Sequence, residues 1–248
     1  MNNTSKISVI IPACNEALHI PATLRSVAAD PNSEIIVVDG GSTDVTRSLA
    51  LAAGVTVLSA RPGRARQQNL GAAAASGEIL FFLHADTQVP PDYAPLIRQA
   101  LQAPDVCAGA FSLATANDHP GMRAITRVAN VRSRWLQLPY GDQGLFLPAR
   151  LFFRLGGFPP QQIMEDFAFV RQLQNHGRII TLPQTVLTSD RRWQHLGLWR
   201  TTCINQLVIF GYYLGVAPVT LARIYRNSFQ IVKTNYEEDL GPRIFDRQ

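Results

Sequence analysis

Short continuous apolar runs alternate along the chain with stretches of helical spacing, and this alternation predicts the elements. Ile7–Ile11 is an unbroken β-branched run, the pattern of a strand covered on both faces, and Pro12 closes it. Ile20, Leu24 and Val27 then recur at helical spacing, with Pro21 suited to a first turn. Glu34–Val38 is the next strand, and Ser42 is placed to cap a helix carrying Val45, Leu49 and Ala52. Val55–Leu58 predicts a strand, roughly Arg66 to Ala75 an Ala-rich helix, and Glu78–Leu83 another buried strand. Pro91 opens a further helix, and Val106–Phe111 reads as a strand.

The second half is less regular. A long helix is expected near Met122–Leu136, a strand at Leu145–Leu147, and a helix from about Glu165 to Asn175. Ile179–Leu182 and Val186–Leu187 predict two short strands. Strands alternating with helices imply parallel βαβ units, so the expected class is α/β with a mostly parallel sheet flanked by helices. The segment Leu207–Val219 is almost wholly apolar and is flanked by Arg223 and Arg226. It is shorter than the roughly 20 residues a spanning helix needs, which predicts a buried or interfacial helix.

Composition narrows the partners. With 46% hydrophobic and 17% charged residues over 248 positions, the chain supports a sizeable core, and one domain is the expectation. Net charge is +5, but the basic residues are scattered with a local excess at Arg191, Arg192, Arg200, Arg223 and Arg226. No basic tail is present, so nucleic acid is not an expected partner. Cys14, Cys107 and Cys203 fit neither a disulfide nor a zinc framework, and Met1–Lys6 has no apolar signal region. A cytoplasmic location follows as the expectation.

The chemistry-bearing residues cluster at strand ends. Ligands of open α/β sheets bind beyond the carboxyl ends of the strands. Asn15 and Glu16 follow the first strand, Asp39 to Asp44 the second, and His84 to Thr87 the fourth. In Asp39-Gly40-Gly41-Ser42 the glycines permit a sharp turn beside a ligand and the acid faces the crevice; an ordinary strand-to-helix turn explains Ser42 equally well. Asp86 suits Mg²⁺ or Mn²⁺, which take hard oxygen ligands, or is simply a loop acid before a helix. Glu165 and Asp166 open an amphipathic helix, where acids complement the macrodipole or serve as a general base. Gly63 to Gly71 is a polar approach to the Ala-rich helix. His195 sits among arginines, which suits a neutral metal ligand as well as a structural role.

Taken in order, these segments resemble the family 2 glycosyltransferases. The resemblance rests on Val9 to Glu16, Val37 to Asp44, Asn69-Leu70-Gly71 with Gly77-Glu78, Phe82 to Thr87, and Glu165-Asp166. The stretches GRARQQNLGAAAASG and FLHADT are most similar to the small bacterial branch of selenodomain-associated transferases. The resemblance implies a GT-A fold, a nucleoside diphosphate-sugar donor, a divalent Mn²⁺ or Mg²⁺, and inversion at the anomeric carbon onto an unidentified hydroxyl acceptor. It implies a division into a nucleotide-binding half, 1–112, an acceptor and catalytic half, 113–200, and a helical extension, 201–248. Asp39 then corresponds to the acid on the base, and Pro12, Asn15 and Glu16 to the ribose and base wall. Gly41, Arg64, Asn69, Ala85, Arg191 and Arg192 complete the expected donor contacts. Asp86, with His84 and His195, is the expected metal set. Asp166 is the expected base, with Glu165 beside it and Asp142 next in line.

Two departures from the family pattern stand out: Gly40 replaces a second acid, and His84 replaces the first acid of the metal motif. The Arg191-Arg192-Trp193 segment matches only part of a processive-synthase motif, so polymerisation is not expected. Two rival readings remain: a sugar-phosphate nucleotidyltransferase, which lacks its Gly-rich basic loop after the first strand, and a catalytically inactive nucleotide-sugar or membrane-surface binding protein. Through 203–226 the chain is expected to meet a membrane's inner face peripherally, or a second copy of itself.

Overall fold

The structure, a computed structural model, describes residues 4–117 and 119–226, without the side chains of Arg192, His195 and Leu196. Residues 227–248 of the expected helical extension lie outside the described residues. The chain divides into two compact units, Met1–Pro160 with Met164–Ser189 and Gln161–Ile163 with Asp190–Gln248.

The first unit is built on an eight-stranded sheet. Its strands are β1 (Ile7–Ala13), β2 (Ser33–Asp39), β3 (Thr56–Ser59), β4 (Ile79–Phe82), β5 (Thr87–Gln88), β6 (Val106–Thr115), β7 (Leu145–Pro148) and β8 (Arg178–Thr188). Their order is β3-β2-β1-β4-β7-β6-β8-β5. The sheet is parallel from β3 to β4, antiparallel on both sides of β7, and parallel again between β6 and β8. The helices are α1 (Ile20–Val27), α2 (Thr46–Ala52), α3 (Arg64–Ala74), α4 (Tyr93–Ala100), α5 (Pro120–Trp135), α6 (Ala149–Arg154) and α7 (Glu165–Leu173).

Continuous apolar strands have this sequence because both faces are covered. Ile7, Val9 and Ile11 enter one core with Leu24, Val27, Tyr93 and Ile97, while Ile10 enters the other with Ala72, Phe152 and Phe169. Phe81 and Phe82 divide between the two cores in the same way. Each fully buried aliphatic or aromatic side chain contributes about 1.5–3 kcal/mol.

Pro12 does not end its strand as expected. Strand β1 runs through Pro12 to Ala13. The Ile10 carbonyl accepts from Leu83 N–H on the β4 side, so Pro12, two residues on, faces that side too, past the last β1–β4 pair at Ile10 and Phe82. Its missing N–H is needed by no neighbour there. The two short strands expected at 179–187 are one, β8. Its register against β6 jumps from Phe111 opposite Leu182 to Ser112 opposite Thr185, so Pro183 and Gln184 bulge out of the ladder.

One carboxylate ties the amino-terminal ends of the strands. Glu34 accepts from the Ser8 hydroxyl, from Ser76 N–H (2.6 Å) and from Lys6 Nζ (3.0 Å). Burial raises its pKa, but these hydrogen bonds win and hold the carboxyl down to about 2.

In the second unit, α8 (Arg191–Leu196) precedes α9 (Leu198–Tyr213), and residues 218–226 are helical again. The single apolar helix expected over Leu207–Val219 is therefore interrupted. Gly215 adopts φ +79° and closes α9: its N–H reaches Tyr212 O at 3.1 Å, and Val216 N–H reaches Gly211 O at 3.0 Å. This pair of bonds is a Schellman termination, and Pro218 opens the next helix.

Candidate functional site

The strand order fixes where a site can form. From β1 the chain moves outward to β2 and β3, then returns to β4 on the other side of β1. The connections leaving β1 and β4 thus part in opposite directions and leave a crevice at their carboxyl ends. The loops after β1, β2 and β4 meet at this edge.

Most polar side chains of the β1 and β2 loops fasten those loops to each other. Asn15, at φ +55°, accepts Thr43 N–H at 2.8 Å through its Oδ1, and its own N–H donates to Ser42 Oγ at 2.9 Å. Glu16 N–H donates to Thr46 Oγ1 at 2.7 Å. Asp39 is 5% exposed and accepts from Gly41 N–H, Ser42 N–H and the Ser42 hydroxyl. Ser42 therefore serves Asp39, and α2 begins later, after Val45, with no side-chain cap. The expected cap at Ser42 is corrected by this bonding.

The absent second acid at position 40 has a steric cause. Gln67, on α3, donates to both Ala13 O (2.9 Å) and Val38 O (2.8 Å), stitching the ends of β1 and β2 together. A Cβ on Gly40 would lie 2.8 Å from its Nε2. A side chain at position 40 would therefore have to displace the Gln67 amide from these two bonds.

The β4 loop and the start of α7 converge on Gly141. Gly141 opens a short 3-10 turn, Gly141–Gln143, and its N–H donates to Asp166 Oδ2 at 2.8 Å. A Cβ at Gly141 would lie 3.0 Å from both Asp166 Oδ2 and His84 Nε2. Imidazole and carboxylate thus border one small space that a side chain would fill. Asp166 Oδ1 accepts Phe167 N–H at 2.7 Å, so each carboxylate oxygen is anchored by one backbone donor and keeps further lone-pair capacity. Met164, before α7, takes the left-handed conformation at φ +64°, which is strained for such a side chain and sets the entry of the helix.

Glu165 has different surroundings. Its side chain is 3% exposed, and its Oε1 lies 3.5 Å from Nε of Arg64, the first residue of α3. Burial pushes its pKa up, Arg64 pulls it down, Asp166 pushes it up again, and the result is a raised value.

Other expected residues are engaged in the scaffold. Asn69 gives Nδ2 to Phe158 O (2.8 Å) and takes Phe158 N–H on Oδ1 (2.9 Å), which commits its amide to that loop. Ala85 is buried, and its carbonyl accepts Thr23 Oγ1 at 2.8 Å. Asp86 is half-buried beside His84, and its carbonyl accepts Ser189 N–H at 3.1 Å. Pro12 is half-buried at the end of β1. Arg191 belongs to the second unit, and the side chains of Arg192 and His195 lie outside the described residues.

Two glutamines escaped the sequence reading. Gln67 is described above. Gln143 is fully buried, donates to Phe111 O at 3.0 Å and accepts Tyr140 N–H at 3.3 Å, which fixes the turn that presents Gly141. Arg132 lies over the Tyr140 ring at 3.3 Å and donates to Gln143 Oε1 at 3.3 Å.

Among the described residues, no three His, Cys, Asp or Glu side chains form a group able to hold a metal ion. One carboxylate and one imidazole after β4 fit an ion that fills most of its shell with water and ligand oxygens, as Mg²⁺ does. They do not make an all-protein cage.

Comparison with known proteins gives concordant results. The model of the family described as glycosyl transferase family 2 matches residues 8–159. The chain is 35% identical over 122 residues to an undecaprenyl-phosphate 4-deoxy-4-formamido-L-arabinose transferase of Aeromonas hydrophila, covering 43% of this chain and 37% of that protein. It is 36% identical over 92 residues to the glucosyl-3-phosphoglycerate synthase of Mycobacterium tuberculosis, covering 32% of this chain and 28% of that one. The matched region thus spans only about a third of these relatives' length. Among solved structures, a mannosyltransferase from Pyrobaculum calidifontis, in complex with GDP-Man and Mn²⁺, superposes with a TM-score of 0.66 at 24% identity, covering 92% of this chain and 70% of that one. The Mycobacterium tuberculosis synthase in complex with Mn²⁺, UDP and glucosyl-3-phosphoglycerate gives 0.58 at 23% identity, covering 73% and 70%.

Proposed function

The chain belongs to glycosyl transferase family 2 and has the GT-A arrangement of that family's solved members, and from this we propose that it moves a sugar from a nucleoside diphosphate-sugar to a hydroxyl acceptor with inversion. The observation that carries the reading is the convergence of Asp166 and His84 on Gly141, at the sheet edge where the β1, β2 and β4 loops meet.

In this reading Asp166 is the base. Two backbone N–H groups, of Gly141 and Phe167, fix its direction. The acceptor oxygen bonds to the anomeric carbon as the bond from that carbon to the diphosphate oxygen breaks. The electron pair leaves with the diphosphate, and the acceptor's proton passes to Asp166. A single displacement of this kind inverts the carbon. Asp39, with the clasped loop of Asn15, Glu16 and Gly41, forms the wall for ribose and base. Arg64, paired with Glu165 at the start of α3, would contact the donor's phosphates. Asp86, with His84, would hold Mn²⁺ or Mg²⁺, whose chemistry is to neutralise charge on the leaving diphosphate. The same two ions accompany the nucleotides in structures of the Mycobacterium tuberculosis synthase.

Thermal-shift titration with a panel of nucleotide sugars, with and without Mn²⁺, tests this reading. Stabilisation by one nucleotide class, larger with Mn²⁺, is expected. No stabilisation by any nucleotide sugar would overturn it.

A further inference from the structure

The second unit exposes apolar side chains where a surface turn is ordinarily polar. Helix α9 ends in Tyr213-Leu214-Gly215-Val216-Ala217, and all five residues are exposed. On α9 itself Thr201 and Val208 are buried, at a spacing that places them on one side. Leu207, Phe210 and Leu214 recur at i, i+3 and i+7, which gathers them on another side, and Phe210 and Leu214 are 62% and 67% exposed. Val219, on the returning stretch, is exposed as well. The two limbs pack closely near the turn: a Cβ on Gly211 would lie 2.8 Å from Leu221 Cδ2. The result is a helical hairpin with an apolar tip. No helix among the described residues is long and apolar enough to cross a membrane.

Charge is distributed to match. Residues 191–226 contain five arginines and no Asp, Glu or Lys. The chain has 23 Lys and Arg against 18 Asp and Glu, so these five arginines equal the whole net charge of +5. Along the hairpin, Arg223 stands about 12 Å back from the turn at about 1.5 Å per helical residue. An interfacial helix sinks roughly 5–10 Å, which would place the tip among acyl chains and Arg223 near the headgroups.

We propose that the hairpin tip, Tyr213–Ala217 with Phe210 and Val219, docks on an anionic lipid bilayer, inserting without spanning it. Apolar area supplies the insertion, and the five arginines of the stretch 191–226 supply the preference for anionic headgroups. A second copy of the chain is the weaker occupant, because the arginines of 191–226 on two facing tips would repel each other. The proposal is independent of the sugar-transfer reading.

The test is flotation of the full chain with phosphatidylglycerol–phosphatidylcholine vesicles and with pure phosphatidylcholine vesicles, beside light scattering for oligomeric state. Binding at least 10-fold stronger to the anionic vesicles is expected. Phe210→Glu with Leu214→Glu should abolish it, while far-UV circular dichroism stays unchanged. Arg223→Gln with Arg226→Gln, which leaves the apolar tip intact, should weaken binding to anionic vesicles alone. Absence of flotation with anionic vesicles would overturn the proposal. So would flotation that the charge pair and the tip pair both leave intact, or a dimer that the tip pair splits in a chain that does not float.

Discussion

Asp166 and Glu165 are adjacent, yet they have opposite environments. Asp166 is held by two backbone N–H groups at the crevice, whereas Glu165 is buried against Arg64. Neighbours on a helix point about 100° apart, so the two acids should not exchange roles. Asp166→Asn keeps the shape and removes the basicity, and should lower turnover by roughly 10²-fold or more with donor affinity nearly intact. Steady-state kinetics beside calorimetry checks this; turnover within a fewfold of wild type would put the base elsewhere. Glu165→Gln should act on stability. Burial, the largest influence, raises its folded pKa above the ordinary 4.5, with Arg64 opposing and Asp166 adding to the rise. An acid with a raised folded pKa costs nothing at pH below 4.5 and costs stability once the pH passes that value. Glu165→Gln should therefore melt higher than wild type at pH 8 and equal to it near pH 4. A lower melting point at pH 8 would mean that the Arg64 pair outweighs desolvation. The family resemblance made Asp166 the expected base, but the difference in surroundings was not legible, because it depends on Arg64 and Gly141, which are remote in sequence.

The elements were most legible where both faces of a strand are covered. Ile7–Ile11, Glu34–Val38 and Glu78–Leu83 announced β1, β2 and β4 by composition alone, and Pro21 marked the first turn of α1. Pro12 misled, since whether a proline ends a strand depends on which neighbour its nitrogen faces; the two strands expected at 179–187 are one because the ladder resumes after a bulge at Pro183 and Gln184. The stitching of β1 to β2 by Gln67 was invisible, because its partner carbonyls lie 54 and 29 positions away. Its importance is testable. Gly40→Ala should destabilise the fold by about 1–3 kcal/mol through overpacking against Gln67. Combined with Gln67→Ala, the effect should be smaller than the sum, because the colliding group is gone. Strict additivity in urea denaturation would contradict the packing account. At the opposite end of the strands, Glu34 gives a pH signature. Burial raises its pKa, but hydrogen bonds from Ser8, Ser76 and Lys6 hold it down to about 2, from 4.5. Its stabilisation is complete above pH 4.5 and is lost as pH falls towards 2. Glu34→Gln should lower the melting temperature at pH 7 and flatten its fall between those values; a parallel fall in both proteins would refute the assignment.

Across the molecule, the site is made by topology. Three loops far apart in sequence meet because β1 and β4 are neighbours with oppositely directed connections, and the sequence reading found them from their common position after strands. It could not find the space at Gly141, which exists only once the turn carrying Gln143 is pinned to Phe111. Nor could it explain Gly40 and His84, departures from the family pattern; the first follows from Gln67, and the second sets an imidazole at the edge of the same space as Asp166. A site with one carboxylate and one imidazole after β4 should depend on the nucleotide to complete any metal shell. The central claim is therefore tested most directly by calorimetric titration of UDP and of GDP into wild type and Asp86→Ala, each with Mn²⁺ and with chelator. One of the two nucleotides should bind wild type at least 10-fold more tightly with Mn²⁺, and Asp86→Ala should erase that difference. No binding of either nucleotide in Mn²⁺, or a Mn²⁺ effect that survives Asp86→Ala, would contradict the account.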